Sequence, residues 1–180
     1  MRELAILSVL FMVSIYLGYT WAESNQEQSE RLVNDLFRGL IFIKDFPSIM
    51  IFTIVFLNNS VKSLASMLLG VFFGIAPMIF VIFNGILLGI VFDVFSRDLG
   101  VWKVTAMLVP HGIIEIPAVL IACSYGLRLG LIMMRKLRGN RVDLRGEFMK
   151  ALKVYIKYVV PLLLLAAFVE TYVTPILSQI

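Results

Sequence analysis

The chain has 180 residues, 60% of them hydrophobic, with one histidine, one cysteine and a formal net charge of +4. Its mean hydropathy of +0.94 and its apolar runs of roughly 20 residues exceed what a soluble domain carries, and they match the length at which a helix crosses a bilayer. One helical membrane domain, 1–180, is therefore expected, and the lone Cys123 excludes an internal disulfide and a cysteine-based metal cluster.

The first run, 4–22, closes on Tyr16, Tyr19 and Trp21, the aromatic pattern of a membrane interface. Thr20-Trp21-Ala22 tolerates signal cleavage, but the basic start is Arg2 alone, so 1–22 reads as a retained span. Residues 23–45 turn polar. Leu32, Leu36 and Leu40, with Val33, Phe37 and Ile41, share one broad helical face, while Glu30, Arg31, Asp35 and Arg38 lie elsewhere. This is an amphipathic helix, either on the membrane surface or packed on other spans. The run 46–57 is short and stops at Asn58-Asn59, whereas 61–94 is too long for one straight crossing. Pro77 lies near its middle, where the missing backbone donor predicts a kink or break. A clean span follows at 104–124, then a basic segment at 125–157 with a turn signal at Gly139-Asn140, then a last span at 158–177.

Charge orients the bundle. Arg128, Arg135, Lys136, Arg138, Arg141, Arg145, Lys150, Lys153 and Lys157 lie in 125–157 against only Asp143 and Glu147. Positive charge is retained in the cytoplasm, so this segment and the N-terminus are expected inside, with 23–45, 96–103 and the C-terminus outside. The result is an all-α polytopic bundle of five spans, in which the second or third is short or broken. Splitting 61–94 into two crossings would give six and reverse the N-terminus. The basic segment also suits anionic headgroups or an acidic partner, and no soluble recognition domain accompanies it that would bind nucleic acid.

Inside the fourth span, His111 and Glu115 stand one helical turn apart, bracketed by Pro110 and Pro117. Both prolines remove a backbone donor, and groups freed in lipid must be satisfied within the protein. His111 lies seven residues past Val104, and Glu170 seven before Leu177. Both are thus ~10 Å below the outer surface at a rise of 1.5 Å per residue. Asn84 falls near the same level and Asp93 near the external mouth. Ionisable groups in a membrane mark either a ligand or ion site or a tightly paired packing lock, and both readings stand for this set. As metal ligands His111 and Glu115 are only two, where zinc takes three or four. The His-Glu-x-x-His pattern is absent. No enzyme and no cofactor are expected. A membrane metallohydrolase is the weakest alternative and would require a bound metal.

Three glycine pairs stand four apart: Gly70 and Gly74, Gly85 and Gly89, Gly126 and Gly130. Such spacing lets helices approach closely, within one chain or between the copies of a homodimer.

The order "FLNNSVKSLASMLLGVFFGIAP", "FNGILLGIVF" and "VPHGIIEIPAVLIACSYGLRLG", with Asn58-Asn59, Asn84-Gly85, Pro110-His111-Gly112 and Glu115, resembles the stage II sporulation protein M family of integral membrane proteins. In spore formers the resemblance implies a role in forespore engulfment beside envelope-remodelling hydrolases, as a membrane component that recruits partners. It makes no residue catalytic.

Overall fold

The computed structural model describes residues 2–38 and 46–174, and among these the chain is helical without strands. Five helices are long and apolar enough to cross a membrane: α1 (Arg2–Ser24), α3 (Ser48–Leu69), α4 (Ile75–Leu99), α5 (Val101–Leu137) and the stretch Leu144–Val173. The last is α6 (Leu144–Val154) and α7 (Val160–Phe168), each continued by a π turn, Tyr155–Val159 and Val169–Val173. In the first of these turns the Val160 N–H reaches back five residues to the Tyr155 carbonyl. The short α2 (Gln26–Arg38) joins α1 after a single residue, Asn25. Leu40, Ile41 and the end of the last span, from Pro175 onward, lie outside the described residues.

The chain does not divide where hydropathy alone placed the divisions. Asn58-Asn59 does not end a short run. The α3 helix passes straight through it, because Tyr155 on the facing helix donates to the Ser60 carbonyl at 2.6 Å and lies 3.2 Å from Ser63 Oγ. Ser60 and Ser63 are thus met by protein rather than by lipid, while Asn58 stays exposed and donates to the Asn59 side chain at 3.3 Å. The long run 61–94 breaks between α3 and α4, at Gly70–Gly74, and not at Pro77. Phe73 (φ 60°) and Gly74 (φ 75°) are left-handed there. Pro77 sits in the first turn of α4, where a backbone donor has no intrahelical partner to lose. Similarly, the span expected at 104–124 is the front of a 37-residue helix, about 55 Å long at 1.5 Å per residue. The basic segment therefore begins as helix and turns at Gly139 (φ 85°). Asp143 then caps α6 by accepting from the Gly146 N–H at 2.8 Å.

Glycines decide the packing, and they do so within one chain. A methyl on Gly18 would fall 2.1 Å from the Ile86 oxygen, one on Gly89 2.2 Å from that of Ile15, and one on Gly85 2.7 Å from Ser14 Cβ. The α1 and α4 helices therefore run parallel in near backbone contact. Gly70 and Gly126 meet in the same way, and Gly130 abuts Gly74, which seats the α3–α4 turn on α5. All six glycines expected to mediate close approach are occupied by neighbouring helices of the same chain. Around them, α5 serves two cores: Met67, Ala122, Leu129, Tyr155 and Leu163 on one side, and Leu7, Phe11, Val81, Cys123 and Leu127 on the other. A third core, of Ala22, Val33, Ile90 and Val94, holds α2.

One end of the bundle thus gathers the C-terminal ends of α1 and α4, the whole of α2 and the start of α5. The other gathers the α3–α4 turn, the end of α5 and α6, tied by Arg128 to Glu147 at 2.8 Å. The amphipathic helix packs on other spans, the second of its two expected readings. Val33 and Ser29 are buried and Phe37 meets Phe95 edge-on at 5.2 Å, while Leu32 and Leu36 remain exposed.

Candidate functional site

The fourth span places its polar pair as the spacing requires. The α5 helix continues through Pro110 and Pro117, so His111 and Glu115 stack one turn apart on one face. Glu170 arrives from the second π turn. Such a turn inserts an extra residue into the helix and is often found at functional sites. The three side chains are each half-buried, and one potential ligand atom from each lies within 4.8 Å of the others. His111 Nδ1 is buried and finds no hydrogen-bond partner among the described residues. So does the hydroxyl of Thr171, next to Glu170.

Beside this cluster, between α1, α4 and the front half of α5, lies a cavity of about 540 Å³. Its wall is apolar for the most part, with Phe11, Ile15, Val81, Leu88, Phe92, Leu108 and Ile116, and it is punctuated by Asn84, His111 and Glu115. The Asn84 amide nitrogen donates to the Phe80 carbonyl at 2.7 Å, leaving its oxygen as the acceptor a ligand can meet. Gly112 also lines the cavity, and a methyl there would touch only Ile116 Cδ1, at 3.6 Å. An apolar wall with a few convergent polar groups is the usual form of a small-ligand site.

The residues singled out from the sequence therefore separate. His111, Glu115 and Glu170 form one cluster, and Asn84 joins the first two around the cavity. Asp93 does not take part. It is 5% exposed and paired with Arg97 at 2.6 Å, and Arg97 also reaches Glu30 at 2.9 Å and Ser29 at 3.0 Å. This network pins α2 to α4. Pro117 lines the cavity beside Ile116, and Cys123 is buried apart from the cluster, 3.5 Å from Ser66 Oγ.

Thr171, next to Glu170, was not singled out from the sequence; a hydroxyl adjoining a charged residue within an apolar span was the available signal.

Residues 7–175 match the stage II sporulation protein M family. The chain belongs to that family. This family member is also similar to an uncharacterised protein of Methanocaldococcus jannaschii, 28% identical over 170 residues that cover 93% of this chain and 90% of that protein. No solved structure matches it. The matched region takes in α1 from residue 7 onward, the other four membrane-length helices, the cavity and the His111–Glu115–Glu170 cluster, so the site belongs to the part of the chain shared with the family. The protein is a multi-pass membrane protein.

Proposed function

We propose that this protein is a non-enzymatic membrane protein whose polar pocket binds or passes a small ion or solute. The observation that carries the reading is the convergence of His111, Glu115 and Glu170 within 4.8 Å, beside a cavity, inside membrane-length helices. Ionisable groups at such a depth are costly and persist where they serve a ligand or a pathway. The orientation follows from charge, with the N-terminus and 125–157 cytoplasmic and the C-terminal end external. Reconstituted vesicles carrying a proton or potassium gradient test the reading. Wild-type flux should exceed that of empty vesicles, and His111→Ala and Glu115→Gln should return it to the empty-vesicle level. Equal flux in the wild type and both variants overturns translocation.

A second reading, a scaffold that recruits envelope partners, has its own support. The α2 helix is fixed to the bundle by the Arg97 network yet leaves Leu32 and Leu36 exposed at one end. Leu32→Glu with Leu36→Glu, both on the exposed face of α2, should then release specific partners while the bundle keeps its thermal stability.

A further inference from the structure

We infer that the pocket's ligand is a divalent transition-metal ion held by His111, Glu115 and Glu170, with a further coordination position open to the cavity; this rests on the pocket reading above. The donor set is complete only in three dimensions. Sequence spacing supplies two ligands on one helix, and the π turn at Val169–Val173 delivers the third from another. Zinc held at bond lengths of ~2.0–2.1 Å has its donors roughly 3.3 Å apart in a tetrahedron. The present separations, none above 4.8 Å, exceed that by no more than about 1.5 Å.

Two further observations point to an ion. His111 Nδ1 is buried without a partner, and a buried polar atom left unpaired signals a missing water or ion. The cluster also holds two carboxylates at close range without an ion pair within 4 Å among the described residues. One divalent cation neutralises both carboxylates where lipid supplies no counter-ion. The imidazole selects among cations. Calcium and magnesium prefer all-oxygen shells, whereas one nitrogen with two carboxylates suits zinc and its first-row neighbours. His111 and Glu115 also line the cavity, so a water or solute can reach the remaining position. Three protein ligands and one open position form a site whose fourth ligand can exchange.

Full-length protein, purified in detergent and stripped with a chelator, is titrated with zinc chloride and assayed by elemental analysis after dialysis. The wild type should take up one zinc per chain, and magnesium chloride should not displace it. His111→Ala, Glu115→Gln and Glu170→Gln should each weaken binding by at least ~100-fold, the upper end of what losing an outer-shell partner costs. Cys123→Ser should leave the stoichiometry unchanged. The melting temperature should rise with zinc in the wild type and not in the three variants, which separates lost ligation from misfolding. Absence of zinc from the wild type, or equal uptake by all three variants, overturns the inference. A protein that carries protons or potassium in vesicles but takes up no zinc refutes the metal and leaves the pocket reading standing.

Discussion

Arg97 ties α2 to α4 through one guanidinium. It pairs with Asp93 one turn back on α4 and with Glu30 on α2, while Ser29, beside the end of α1, accepts from the same group. Asp93 is buried, so Arg97→Ala strands a carboxylate away from water. The expected loss is about 3 kcal/mol, the low end for removing one partner of a buried pair. It is measured by thermal denaturation in detergent, and Asp93→Asn added to Arg97→Ala should recover most of it. The same pair shows what the sequence leaves open at this scale. Counting residues along a span gives a group's height in the membrane and says nothing of its azimuth. Asn84 was expected near the level of His111 and Asp93 near the external mouth, and both were candidates for the site. Asn84 faces the cavity and Asp93 faces α2, because they stand nine residues apart on α4, two and a half turns, and so on opposite sides.

At the scale of elements, the turn between α3 and α4 carries the sharpest consequence. Gly74 is left-handed, and a methyl on Gly130 would lie 2.1 Å from its nitrogen and 2.5 Å from the Phe73 carbonyl carbon. Both neighbours are backbone and cannot turn aside. Gly130→Ala should therefore cost about 3 kcal/mol, the upper end for overpacking. Gly112→Ala should act with the opposite sign. Its methyl meets one flexible side-chain end in open space, inside a helix, so it should stabilise the protein by about 0.5–1 kcal/mol through the reduced entropy of the unfolded chain. Melting curves of the two variants compare these effects directly. The glycine pairs themselves were legible from their four-residue spacing. Their partners were not, since spacing marks a smooth face and does not name the helix that uses it.

At the scale of the molecule, five membrane-length helices and the grouping of their ends give an alternating path. With Cys123→Ser as background, a cysteine at Asn140 should label only from the cytoplasmic side, and one at Gln28 only from the external side. Both positions are exposed, at opposite ends of the bundle. Labelling of both from one side overturns the alternating five-span path. The basic turn around Gly139 and the acidic character of α2 supply the asymmetry, because positive charge resists export across the membrane.

Composition, apolar run length and charge determined that this chain is a helical membrane bundle and which end carries the basic residues, since transfer into lipid depends on each segment's own side chains. The His111–Glu115 pair was likewise readable, being set by the helical repeat within one segment. The tertiary structure alone decided that α3 runs through Asn58-Asn59, that the break falls at Gly70–Gly74, that Asp93 belongs to a lock, and that Glu170 completes a cluster with His111. Each of those outcomes depends on which helix lies against which. Close packing between distant segments settles that, and no local pattern along the chain encodes it.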